Sequence, residues 1–246
     1  HAVQPRIGGG GACVPRNPSR PARRSASSAM LSRAQGALLG QLAGDALGSY
    51  VEFQSTHQIR QRHPHGVRDL KDGGHWGTIA GQPTDDSEMA LALARSIVAQ
   101  GGFNRDAAGS AYVSWGQSQP FDMGGTTHQG LASLVGRGQA STNSQSNGAL
   151  MRVSPIGIAN AGSPAKAAEQ ARLDAALTHP HPVCVAASGC YAAAIAAGIS
   201  GAGPREMWAV AHAHAGENAA GGTIRSTLDA AQLGAPEEFQ RQMGWV

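Results

Sequence analysis

The chain has 246 residues and a formal net charge of +3, with 14% charged and 4% aromatic residues against 34 glycines. A chain this long buries a sizeable core, and one so poor in rings must pack it through small side chains and close helix contacts. The positive surplus lies in residues 1–29, which hold Arg6, Arg16, Arg20, Arg23 and Arg24 and no acid; the remainder stands at −2, which speaks against nucleic-acid binding as the main role.

Residues 1–29 are rich in Gly, Pro, Ser and Arg without hydrophobic periodicity, so they read as a disordered basic tail or a non-native leader, with Met30 as the natural start. Residues 30–246 read as one domain. From Met30 to Phe53, Leu31, Leu38, Leu42 and Ala46 keep helical spacing. Gly36, Gly40, Gly44 and Gly48 form a stripe on this helix at about 1 kcal/mol each against Ala. Close approach of another helix or a ligand is the expected reason. Asp45 and Glu52 share a face if the helix persists past Gly48. Asp45 also reads as a carboxylate bonded to a nearby loop, and Glu52 as an ordinary exposed glutamate.

Residues 54–83 read as a Gly-rich loop with at most one short helix. Its histidines His57, His63, His65 and His75 lack zinc spacing and a cysteine partner, so solvated loop histidines are expected. Next comes Pro83-Thr-Asp-Asp-Ser-Glu-Met89, opening a helix on which Met89, Leu93 and Ile97 recur every four residues. Thr84 or Asp85 reads as its N-cap, with Asp85 and Asp86 favourable at the positive helix end. The same residues also suit a hard cation, since one hydroxyl and two carboxylates are oxygen ligands of the kind Mg²⁺ or Mn²⁺ takes. The helix dipole opposes such an ion, so more carboxylate from elsewhere is required.

Asn104 or Asp106 is expected to cap a further helix through Trp115. Phe121 to Gly148 reads as a polar, Gly-rich loop ending in Ser146-Asn-Gly-Ala-Leu-Met-Arg152, where backbone N–H groups can cradle phosphate or simply form a turn. Arg152 pairs either with a phosphate or with an internal carboxylate. Ser163 and Pro164 open another helix, as cap and first residue. It stops at Thr178-His-Pro-His-Pro182, because two prolines forbid continuation. Val183–Ile199 and Arg205–His214 are helical. Strand signals are nearly absent, so the expected fold is all-α, a compact orthogonal bundle of Ala/Gly-rich helices with long functional loops. No apolar run reaches 18 residues uninterrupted, which gives no expectation of a membrane span. Cys13, Cys184 and Cys190 form no disulfide framework, which favours a cytoplasmic setting.

Four stretches, Gly44-Asp-Ala-Leu-Gly…Glu52, Thr84-Asp-Asp-Ser-Glu-Met89, Asn147-Gly-Ala-Leu-Met-Arg152 and Thr178-His-Pro-His181, together resemble the ADP-ribosylglycohydrolase family of the dinitrogenase-reductase-activating type. The resemblance runs from about Met30 to the end. It implies an all-α fold with a two-metal centre of Mg²⁺ or Mn²⁺ and cleavage of the glycosidic bond between ADP-ribose and a protein side chain, arginine-linked first. It further implies Thr84, Asp85 and Asp86 as metal ligands and Glu52, with Asp86, as the catalytic carboxylates. Ser146, Asn147 and Gly148 would line the diphosphate and ribose pocket, with His179 close by. The partner would be an ADP-ribosylated protein or a related small molecule, and the chain a monomer.

The family's second metal motif, Asp-x-Asp-Thr, does not occur: no two of the nine aspartates have one residue between them. The expectation is therefore a domain lacking its C-terminal part, holding half of the metal ligands, binding metal weakly and poorly active. Two other readings compete. One is an inactive ADP-ribose binder or a crystallin-like structural relative. The other is a prenyl-diphosphate enzyme, disfavoured because Met89 stands where Asp-Asp-x-x-Asp needs its last aspartate.

Overall fold

The structure, a computed structural model, describes residues 28–234. The leader reading falls largely outside these residues. Ser28 and Ala29, which it included, already belong to the first helix.

Among the described residues ten helices follow one another: α1 Ser28–Ser49, α2 Thr56–Arg62, α3 Asp85–Gln100, α4 Arg105–Gln117, α5 Gly125–Leu134, α6 Ser154–Ala159, α7 Pro164–Ala175, α8 Pro182–Ser200, α9 Pro204–Ala213 and α10 Ala219–Ala230. Among the described residues the sole β feature is an isolated bridge between Gly73 and Thr78, so the all-α expectation holds.

The bundle is built around α8. Its sequence, almost entirely Ala, Gly, Ile, Val and Cys, lets neighbours approach closely, and α7, α6, α9, α10 and α1 all pack against it. By length and mean hydropathy, 1.7, α8 matches a membrane span. Its apolar character is accounted for by its central position, since most of the helix is buried. The main core joins Met89 and Leu93 of α3, Ala108 and Tyr112 of α4, Leu131 of α5, Val153, Ile156 of α6, and Ala192 and Ala196 of α8. A smaller cluster of Cys190, Ala194, Ala211 and Ala215 carries α9 and α10.

Inside the core lies one ion pair with no solvent exposure. Arg152 Nε donates to Asp174 Oδ2 at 3.0 Å, and Tyr112 donates to Asp174 Oδ1 at 2.7 Å. The guanidinium lies 4.3 Å from the Tyr112 ring centroid. Arg152 thus serves an internal carboxylate, the second of its two expected roles, and is unavailable to a phosphate. Such a pair is held by full hydrogen bonding rather than by net Coulomb gain.

Several local expectations are corrected. Helix α1 ends at Ser49, not at Phe53; the chain then turns, and Phe53 adopts φ 61°. The glycine stripe admits no neighbouring helix, because a Cβ at Gly36, Gly40, Gly44 or Gly48 would meet nothing within 4 Å among the described residues. Three helices were not predicted: α5 and α6, within or after the polar loop, and α10. Helix α5 carries Gly125, Gly130 and two threonines, which weaken its propensity signal. Gly130 is needed for packing: a Cβ there would sit 2.6 Å from Thr178 Cα.

Candidate active site

Helix α1 delivers Asp45 to the start of α3, and this contact organises the site. Neither Thr84 nor Asp85 caps α3 with its own side chain. Asp45 does so from another helix: its carboxylate accepts from Thr84 N at 3.0 Å and from Ser87 N at 3.1 Å, and from Thr84 Oγ1 at 2.7 Å. The N-terminal N–H groups that would repel a cation are thereby satisfied by an anion. Gln41, one turn earlier, donates to Met151 O at 2.9 Å and to Asp86 O at 3.3 Å, and bonds Ser154, tying α1 to α3 and to the turn before α6.

With its cap supplied elsewhere, α3 presents Asp85 and Asp86 to a cavity of about 610 Å³. The cavity is lined by Gly44, Asp45, Gly48, Glu52 and Phe53 from α1 and the turn after it. Asp85, Asp86, Asp122, Ser146, Asn147 and Gly148 also line it. The size suits a nucleotide-scale ligand. Gly44 and Gly48, half of the stripe, line this cavity. Glu52 reaches the same cavity as Asp45 although the helix has ended, and it accepts from Trp76 Nε1 at 2.8 Å.

Three of these carboxylates, Asp85, Asp86 and Asp122, have raised pKa values. Asp86 is pushed up to about 7, by burial first and then by the charges of Asp85, Asp45 and Glu52. Asp85 is raised by burial and by Asp45 and Glu52, partly offset by a hydrogen bond from the Gly124 backbone. Asp122 also rises to about 7, from burial first and then from the charges of Asp85 and Glu52. Asp122 was not anticipated from sequence. It lies in an irregular stretch between α4 and α5, where no periodicity signals a site residue.

This donor set fits Mg²⁺ or Mn²⁺ in chemistry: oxygen ligands whose negative charges lack a neutralising partner. Thr84 Oγ1 gives its proton to Asp45 and keeps lone pairs for a further contact. Among the described residues no three carboxylate, histidine or cysteine side chains converge enough to hold an ion by themselves. An ion here would take part of its shell from water or substrate, as Mg²⁺ commonly does.

Part of the lining is the turn at Ser146-Asn147-Gly148. His179 is not part of the cavity surface. It is 1% exposed and stands behind the turn, its Nε2 3.1 Å from Ser146 Oγ and its Nδ1 2.8 Å from Thr178 Oγ1. Burial and the charge of Arg152 lower its pKa to about 4, so the ring is neutral at pH 7. Arg152 donates to Thr178 Oγ1 at 2.8 Å, leaving the threonine proton for Nδ1 and the Nε2–H for Ser146. A Cβ at Gly148 would fall 2.7 Å from the His179 ring and 2.8 Å from Thr127 Oγ1, so the turn can lie here only as glycine.

Comparison with known proteins follows the same line. The ADP-ribosylglycohydrolase family profile matches residues 26–246. The chain is 38% identical over 160 residues to the ADP-ribosyl-[dinitrogen reductase] glycohydrolase of Rhodospirillum rubrum, covering 63% of this chain and 54% of that protein. It is 31% identical over 193 residues to the ADP-ribosylarginine hydrolase Tri1 of Pseudomonas putida, covering 74% and 50%. A solved structure, an ADP-ribosylglycohydrolase-related protein complex, superposes with a TM-score of 0.70 at 26% identity, covering 85% of this chain and 70% of that one. The chain spans about half the length of the curated relatives it matches. With the cavity, the carboxylate cluster and the family match in agreement, the chain belongs to the ADP-ribosylglycohydrolase family.

Proposed function

We propose that this chain carries the ADP-ribose site of a metal-dependent hydrolase that cleaves the glycosidic bond of ADP-ribosylated side chains, arginine-linked ones first. The observation that carries the reading is the single cavity joining Glu52, Asp85, Asp86 and Asp122 to the Ser146–Gly148 turn. In this reading Ser146 and the backbone at Asn147 and Gly148 hold the diphosphate and ribose, with His179 fixing the Ser146 hydroxyl. Thr84, Asp85 and Asp86 would hold Mg²⁺ or Mn²⁺, which when bound supplies a Lewis acid for the ribose oxygens and for water.

Glycosidic cleavage builds oxocarbenium character at the anomeric carbon, and the carboxylates of Glu52 and Asp86 stabilise it. Glu52, oriented by the Trp76 indole, moves a proton at its free carboxylate oxygen. The arginine-linked preference is supported by the named activity of the Pseudomonas putida relative, 31% identical.

Calorimetric titration with ADP-ribose tests the site. Binding that is lost in Gly148→Ala and strengthened by Mn²⁺ is expected. Absence of binding with and without Mn²⁺ overturns the reading. A second reading, a binder without turnover, is favoured by the lack of a closed three-ligand group among the described residues. Binding without release of ADP-ribose from ADP-ribosylarginine would select it.

A further inference from the structure

The chain has only four Phe, four Trp and three Tyr, yet Phe53, Trp76 and Phe121 gather beside the carboxylate cavity instead of filling the core. Phe53 lines the cavity wall while 59% exposed, and Phe121 is 39% exposed. Their rings are in mutual contact: Phe53 to Trp76 at 6.4 Å, Trp76 to Phe121 at 5.8 Å, with His75 edge-on to Phe53 at 4.6 Å. Burial does not account for this cluster, since its outer rings face solvent. Phe53 adopts φ 61°, rare for a bulky residue.

Charge indicates what the rings would receive. Phe53 directly follows Glu52, whose carboxylate is held by the Trp76 indole N–H. Phe121 directly precedes Asp122. Two carboxylates thus flank the ring cluster, and the cavity wall, with Asp45, Asp85 and Asp86 as well, contains no lysine or arginine among the described residues. An aromatic face edged by carboxylates suits a planar cation, which stacks on the ring and donates N–H bonds to the acids. A guanidinium is such a group; a compact ammonium gains less from stacking, and a neutral hydroxyl linkage gains nothing from it.

We propose that Phe53, backed by Trp76 and Phe121 and flanked by Glu52 and Asp122, forms the subsite for the guanidinium of ADP-ribosylarginine. The subsite sets the preference for arginine linkage over serine linkage. It rests on the reading of the cavity as an ADP-ribose site and adds to it the residues that recognise the leaving side chain.

The test compares the full chain with Phe53→Leu, which keeps apolar bulk and removes the π-face, and with Phe53→Tyr, which keeps the face. Affinity is measured by calorimetry, with chelator present, for ADP-ribosylarginine and for ADP-ribose. Phe53→Leu is expected to weaken ADP-ribosylarginine about tenfold with ADP-ribose unchanged, and Phe53→Tyr to restore it. Equal loss for both ligands would mean that the ring packs on the nucleotide and would overturn the proposal, as would no loss for either. Methylguanidinium alone, titrated while the Trp76 indole N–H resonance is followed by NMR, separates this from failure of the nucleotide reading. A shift in wild type that vanishes in Phe53→Leu supports the subsite even if ADP-ribose does not bind, and no shift in wild type overturns it.

Discussion

Asp45 on α1 caps α3 across 39 residues of sequence, accepting from both the backbone N–H and the hydroxyl of Thr84. A cap from the helix's own sequence would have used the side chain of Thr84 or Asp85. Because Asp45 does the work, Asp85 and Asp86 remain directed at the cavity. One carboxylate therefore links the folding of α1 onto α3 to the geometry of the site.

Asp45→Ala is expected to destabilise the chain by about 2–3 kcal/mol, more than an ordinary cap because three donors lose their acceptor together. Asp45→Asn keeps an acceptor oxygen and should lose about half as much. Denaturant unfolding checks this through the midpoint at unchanged m-value. Equal stability of Asp45→Ala and wild type would show that the α1–α3 contact does not hold α3.

His179 gives a pH dependence of definite sign. Its pKa falls from 6.5 unfolded to about 4 folded, so the folded state disfavours the protonated ring. Its contribution is fully present above pH 6.5 and is lost as pH falls toward 4, by about 3 kcal/mol in all. The raised pKa values of Asp86 and Asp122 act in the opposite direction, so stability must be compared between wild type and His179→Gln at each pH. The difference between the two proteins should narrow or reverse between pH 6.5 and 4. A difference independent of pH would contradict the buried neutral ring.

Two glycines should answer oppositely to alanine. At Gly148 the new Cβ meets the His179 ring and Thr127, so Gly148→Ala is expected to cost about 1–3 kcal/mol and abolish ADP-ribose binding. At Gly36, in the middle of α1, the Cβ meets nothing. Gly36→Ala should stabilise by up to about 1 kcal/mol through helix propensity. Thermal melts with calorimetric binding on both variants separate packing at the turn from backbone entropy on α1.

The sequence made the helices legible where apolar periodicity was clean, as in α3 and α7, and where a side-chain cap stood at the start, as Asn104 does in α4. It missed α5 because Gly125, Gly130, Thr126 and Thr127 lower local propensity, while the contact of Gly130 with Thr178 stabilises the helix from outside. Thr84, Asp85, Asp86, Glu52, Ser146, Asn147 and Gly148 were identifiable as a set through the family resemblance, and the cavity brings all of them together. Asp122, Trp76 and the ring cluster were not legible. They lie on irregular chain, and only the packing of loops against one another places them beside Glu52.

The most direct measurement is release of ADP-ribose from ADP-ribosylarginine by the chain, with Mn²⁺ or Mg²⁺, with chelator, and in Asp86→Asn. Release that is slow, as expected of a chain holding half of the metal ligands, yet metal-dependent and lowered at least about a hundredfold further in Asp86→Asn is the predicted result. Release that persists in chelator and in Asp86→Asn would contradict it, because the carboxylate cluster would then have no part in the reaction.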